Sequence, residues 1–202
     1  MKLIVHRRNT LAELQATDPK YGVEVDIRSQ GKRLVIHHDP FVEGNDFIEW
    51  IDVYRHGTLI LNVKEEGLEA RLIALMAEKG IKDYFFLDQS FPFLVKWSNA
   101  GEHRCAVRVS EFESVDSAMT LAGKVDWVWV DCFTRFPISH EDSLRLQDAG
   151  FKLCLVSPEL QGRDSELEIP VLCNLLSKQN IKPEAICTKR PDLWESLEGG
   201  RE

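Results

Sequence analysis

Apolar residues along this chain come in short, dense bursts. Eight of them are rich in β-branched and aromatic residues and predict strands: KLIVH (2–6), VEVDI (23–27), TLILNVK (58–64), YFFLD (84–88), RCAVRVS (104–110), DWVWVDC (126–132), FKLCLVS (151–157) and AICT (185–188). RLVIHH (33–38) follows the second burst at hairpin distance and extends it. Between bursts the apolar spacing lengthens to that of a helix. NTLAELQA (9–16) opens with a capping signal at Asn9 and Thr10, and GLEARLIALMAEKG (67–80) puts Leu68, Leu72, Leu75 and Met76 on one face. FPFLVKWSNAG, ESVDSAMTLAG, SHEDSLRLQDAG and PVLCNLLSKQN repeat the pattern, and the first three stop at glycine.

Strand, helix, glycine, strand, repeated, is the mark of parallel βαβ units. Eight such units predict an α/β fold, a small single-domain (β/α)8 TIM barrel over residues 1–196, with 197–202 as a frayed tail. A doubly wound open sheet is the competing architecture. Two features favour the barrel. Polar residues gather at the C-terminal ends of the strands, and no GxGxxG or GxxxxGK[ST] motif follows any strand.

Composition narrows the setting. With 44% hydrophobic residues the 202-residue chain fills one sizeable core. A net charge of −8 argues against nucleic acid or an anionic membrane as partner, since both reward lysine and arginine patches. Cys105, Cys154 and Cys187 lie within strand bursts, Cys132 follows one, and no pair has CxxC spacing. They read as reduced core residues of a cytoplasmic protein. No segment reads as a secretion signal, and no apolar run nears the ~18 residues of an integral membrane span.

The chemistry gathers in the first three units. Side chains two apart on a strand share a face, so Glu24 and Asp26 converge at the barrel mouth, as do Asn62 and Lys64. His6 ends the first strand and is followed by Arg7 and Arg8; His38 and Asp39 end the hairpin. Two carboxylates and an amide carbonyl are hard oxygen donors suited to Mg²⁺ or Ca²⁺. Two histidines supply an acid and a base near neutral pH. Lys64 and Arg7 neutralise a phosphoryl group. Together they describe cleavage of a phosphodiester.

These residues resemble the glycerophosphodiester phosphodiesterase pattern of H-R, E-x-D, H-D and E-x-K. Here the motifs read His6-Arg7, Glu24-x-Asp26, His38-Asp39 and Asn62-x-Lys64, while LDQSF (87–91) and AICTKRP (185–191) are similar to later family segments. The resemblance spans most of the chain and is most specific in residues 6–64. It implies a (β/α)8 barrel, with His6 and His38 as the catalytic pair, Glu24 and Asp26 as ligands of a divalent cation, and Arg7 and Lys64 on phosphate. Three departures stand out. Asn62 replaces a glutamate, which removes a negative charge and leaves a neutral third ligand. Arg8 replaces a glycine. Only about two dozen residues separate His38 from Asn62, so the small insertion domain that many members of the family carry there is missing.

The reading is metal-assisted hydrolysis of a small glycerophosphodiester, or a related polyol or sugar phosphodiester. The alternatives are a lyase-type relative forming a cyclic phosphate, and a degenerate barrel that binds a phosphorylated ligand. A Schiff-base enzyme using Lys64 ranks below both, because a lysine beside two carboxylates stays protonated. Further along, Arg108 lies in a strand and reaches either phosphate at the mouth or Glu111 or Glu113. Trp127, Trp129 and Asp131 share a face, as a substrate wall or as packing. His37 has the opposite parity to His38 and is assigned outside the site. His56, His103 and His140 have no companions.

Overall fold

The computed structural model describes residues 1–199. Its strands are β1 (Lys2–Val5), β2 (Gly22–Gln30), β3 (Arg33–Ile36), β4 (Asn45–Asp46), β5 (Leu59–Val63), β6 (Tyr84–Leu87), β7 (Ala106–Val109), β8 (Trp127–Val130), β9 (Lys152–Val156) and β10 (Ala185–Thr188). The helices are α1 (Leu11–Ala16), α2 (Phe47–Asp52), α3 (Glu69–Glu78), α4 (Phe91–Asn99), α5 (Val115–Met119), α6 (His140–Asp148), α7 (Ser165–Lys178) and α8 (Pro191–Gly199). A 3-10 turn, Pro158–Gln161, follows β9. Residues 197–199 complete α8, and the rest of the expected frayed tail lies outside the described residues.

Eight strands are parallel and curl in the order β7-β8-β9-β10-β1-β2-β5-β6. The long β2 pairs parallel with β1 and β5 over its first half. Its second half turns back as the antiparallel β3, from Ile27↔Ile36 to Gln30↔Arg33. The two ends of the sheet, β6 and β7, meet at a thin seam. One parallel bridge, Phe86↔Cys105, joins them, and the Phe86 amide donates to the Arg104 carbonyl at 2.8 Å.

Two apolar layers follow from strand alternation. The outer layer packs the sheet against the helices and includes Val25, Ile27, Leu61, Phe86, Val128 and Leu155. The inner layer fills the curl with Ile4, Ile60, Phe85, Trp127, Cys154 and Cys187, among others. Trp127 stacks on Phe85 with ring centroids 4.4 Å apart, so packing takes this tryptophan. Cys105, Cys132, Cys154 and Cys187 are buried free thiols, and Cys173 is buried on α7. No helix among the described residues is long and apolar enough to cross a membrane.

Between β4 and β5 the chain builds α2. Asp46 caps it, accepting from the amides of Ile48 (2.8 Å) and Glu49 (3.3 Å). Its buried face carries Phe47, Trp50 and Ile51, which contribute roughly 1.5–3 kcal/mol each. The Trp50 indole N–H donates to the Arg8 carbonyl at 2.8 Å, tying α2 to the loop that carries His6 and Arg7.

Candidate active site

The C-terminal ends of the parallel strands converge on one cavity of about 240 Å³. Of the residues singled out in the sequence, His6, Arg7, His38, Asn62, Lys64, Arg108, Trp129 and Asp131 line it. Glu24 and Asp26 are fully buried behind this lining, in contact with Arg7, Asn62 and Lys64. The period-2 argument therefore places both carboxylates on the inner face, with Asp26 in register with Asn62 on β5.

Glu24 accepts the Arg7 amide at 2.7 Å through Oε2 and the Asn62 side-chain amide at 2.7 Å through Oε1. Arg7 adopts a left-handed backbone, φ 51°, which aims its N–H at that carboxylate. Burial, and then the charge of Asp26 beside it, push the Glu24 carboxyl up to about 7. Asp26 holds the Arg7 guanidinium at 3.4 Å and the Lys64 ammonium at 3.3 Å. The Asn9 side-chain amide donates to it at 2.8 Å, and its backbone amide donates back to Asn9 at 3.1 Å. The Lys64 approach is an ion pair without hydrogen-bond alignment, so Asp26 Oδ1, like Asn62 Oδ1, is buried with no hydrogen-bond donor. Among the described residues no group of three or more His, Cys, Asp or Glu side chains is placed to hold a metal ion.

The two histidines differ in setting. His6 is mostly buried, with Nε2 3.7 Å from Glu24 Oε2 and Nδ1 buried without a partner. Burial, then the positive charges of Arg7, Lys189, Lys64 and Arg8, hold its pKa down to about 3, so the ring is neutral. His38 stands at the rim, 42% of its side chain exposed, with Nδ1 2.8 Å from Asp39 Oδ1. His37 turns away, its Nδ1 accepting the Asp39 amide at 3.0 Å.

An ionic chain continues round the mouth. Asp88 bridges Lys64 (2.8 Å) and Arg108, and Arg108 reaches on to Asp131 at 2.8 Å. Gln161 closes the line, donating to Asp131 at 2.6 Å. Arg108 thus faces the mouth through Asp88 and Asp131; Glu113 approaches only to 4.0 Å. Glu111 instead accepts the amides of Phe133, Thr134 and Arg135 and shapes the loop after β8. Burial alone would raise the Asp88 pKa, but Lys64 and Arg108 outweigh it and hold the carboxyl low.

Several contributors were not singled out as site residues in the sequence. Arg28 donates to the His38 carbonyl through Nε (3.1 Å) and a terminal nitrogen (2.8 Å), and to the Lys64 carbonyl at 3.2 Å. It therefore fixes the backbone under two site residues. Asn9, Asp88, Gln161 and Lys189 likewise join the mouth from separate loops.

No protein-family model matches the sequence, and no curated protein sequence matches it. Solved structures do match. One is a glycerophosphodiester phosphodiesterase from Agrobacterium tumefaciens str. C58, with TM-score 0.65 and 18% identity over 98% of this chain and 99% of that one. The chain has the glycerophosphodiester phosphodiesterase fold. A glycerophosphoryl diester phosphodiesterase from Parabacteroides distasonis ATCC 8503 shares this fold, with TM-score 0.68 and 13% identity over 98% of this chain and 86% of that one. Within the phosphodiesterase fold, the residues gathered at this mouth come from the ends of eight strands, β1, β3 and β5 to β10, or the segments that follow them.

Proposed function

We propose that the chain is a phosphodiesterase that hydrolyses a glycerophosphodiester or related phosphodiester. We take the Phe86–Cys105 seam to close a (β/α)8 barrel around its site. The observation that carries the reading is the meeting of His6, His38, Lys64 and Arg108 over two buried carboxylates in one cavity, on this fold. The neutral, buried His6 keeps a lone pair free to attack phosphorus or to take the proton of an attacking water. His38, oriented through Nδ1 by Asp39, presents Nε2 to give a proton to the departing alcohol. Lys64 and Arg108 flank the place where phosphoryl oxygens gain charge, and the phosphate competes with Asp88 for both cations.

The donor set suits a hard divalent cation, Mg²⁺ or Ca²⁺. The carboxylates of Glu24 and Asp26 would hold it, with Asn62 Oδ1, and two of these oxygens are buried without a donor. When bound, the cation supplies charge stabilisation to the non-bridging phosphoryl oxygens. Buried thiols fit a reducing, cytoplasmic setting. A second reading, a barrel that binds a phosphorylated ligand without turnover, is favoured by one contact. The Asn62 amide N–H already sits on Glu24, where it takes the place of a positive charge.

The deciding experiment is turnover of glycerophosphocholine and a bis-aryl phosphate with Mg²⁺, Ca²⁺, Mn²⁺ or EDTA. The expected result is metal-dependent release of the alcohol; folded protein inactive with every metal would favour the binding barrel. Thermal melts give a readout independent of turnover. A cation at 100 times its Kd stabilises by about 2.7 kcal/mol, which in a domain of this size raises Tm by roughly 5–10 °C. Asn62→Glu, which restores a charge, is expected to lower the Mg²⁺ concentration needed for that shift. No shift in either protein would mean that no cation binds at these carboxylates.

A further inference from the structure

The mouth does not end at the ion pairs. Above the Phe86–Cys105 bridge β6 and β7 are not paired, and a second cavity of about 790 Å³ opens there between α4 and α5. That volume lies within the roughly 300–1,000 Å³ range of small-molecule sites. The two cavities share Leu87, Asp88 and Arg108, so the groove is continuous with the phosphoryl end of the mouth. Leu87, Leu94, Ala106 and Val107 give it an apolar floor. Phe91 and Phe112 stand beside it 52% and 81% exposed. Phe112 contacts Phe133, a mouth residue, with ring centroids 5.9 Å apart, so an aromatic edge runs from one cavity to the other. Among the described residues the exposed phenylalanines are Phe41, Phe91 and Phe112, and all three follow strand ends on the mouth side. An exposed apolar strip leading out of a charged cavity marks a ligand with both characters.

We propose that the groove takes the alkyl chain of an amphiphilic substrate, a phosphodiester bearing one long aliphatic chain, whose phosphate lies at Arg108. The inference rests on the phosphodiester reading of the mouth. Continuity with the cationic end of the mouth selects this occupant: the phosphate belongs beside Arg108, and the apolar floor begins one residue away, at Leu87 beside Asp88 and Val107 beside Arg108.

The test uses His38→Ala protein, so that probes are bound and not cleaved. The probes are glycerol phosphodiesters of n-butanol, n-octanol and n-dodecanol below their micelle thresholds, titrated calorimetrically. Each added methylene is expected to tighten Kd about two- to fourfold until the groove is full. Phe91→Ser and Phe112→Ser, both at exposed positions, are expected to flatten that dependence. A Kd independent of chain length overturns the proposal. A length dependence that neither variant changes overturns it too, because the chain then lies elsewhere. If the butyl ester neither binds nor is cleaved by the unmodified protein, the mouth reading itself has failed. If the butyl ester binds and the length dependence is flat, the groove proposal alone has failed. A dimer that Phe112→Ser converts to monomer, with flat length dependence, would assign the groove to a second copy and overturn the proposal.

Discussion

His38→Ala is expected to slow hydrolysis of an alkyl glycerophosphodiester by about 10²–10⁴-fold, and of a bis-aryl phosphate by less than about tenfold. The difference follows from the leaving group. An alkoxide is strongly basic and departs only as it gains a proton, whereas an acidic phenol leaves as its anion unaided. In the proposed reaction His38, at the rim with Nδ1 2.8 Å from Asp39, gives that proton. His6→Ala is expected to cost a similar factor on both substrates, because attack on phosphorus is common to them. His38 makes few contacts and is 42% exposed, so its loss is expected to change stability by less than about 0.5 kcal/mol, checked by urea denaturation. Equal losses on the two substrates in His38→Ala would remove His38 from the acid role. Retained activity in His6→Ala would place the attacking group elsewhere.

How much of this was legible in the sequence depends on the distance over which each feature is decided. The face shared by Glu24 and Asp26 is a property of one strand, and period-2 alternation predicts it without knowledge of neighbours. His38 lines the cavity and His37 does not, but both lie just past the end of β3, where alternation no longer fixes a side chain's face. The expected strands fall where the apolar bursts lie, because each is marked by its own composition. Short or interrupted helices were less visible. The six-residue α2 is too short for periodicity, although Asp46 followed by Glu49 is a capping signal in plain view. α7 begins at Ser165 under an Asp164 cap, five residues before Pro170, which by itself suggests a helix start. The ionic chain could not be read at all. Asp88 meets Lys64 from 24 positions away and Arg108 from 20, and Arg28 reaches Lys64 across 36. Those meetings exist only once the sheet has curled. The seam is similar: YFFLD and RCAVRVS both predict strands, yet only Phe86 and Cys105 pair across it.

Lys64→Met is expected to cost as much stability as truncating a large core side chain. Its side chain is 13% exposed, and its ammonium lies between Asp26 at 3.3 Å and Asp88 at 2.8 Å. Removing one member of a buried ionic network costs roughly 3–5 kcal/mol, because the remaining charges lose compensation while staying out of water. Asp26 keeps Arg7 and Asn9, and Asp88 keeps Arg108, so the lower end, about 3 kcal/mol, is expected by urea denaturation in EDTA. The loss should grow with pH. Glu24, raised to about 7 by burial and by Asp26, is one of the groups that Lys64 favours in the ionised form. A carboxyl whose folded pKa lies above its unfolded value of about 4.5 stabilises the fold when protonated, and that contribution fades as pH rises from 4.5 through the folded pKa. Without Lys64 the folded pKa climbs further, so the variant binds protons more tightly and is penalised more at pH 8 than at pH 5. Asp88→Asn in the Lys64→Met background should restore about 0.5–3 kcal/mol relative to additivity, since it removes the charge that Lys64 leaves behind. A cost below about 1 kcal/mol that does not vary with pH would show that Lys64 is a solvated bystander. Strict additivity with Asp88→Asn would break the chain at its first link, and with it the argument that Lys64 and Arg108 share one anion between them.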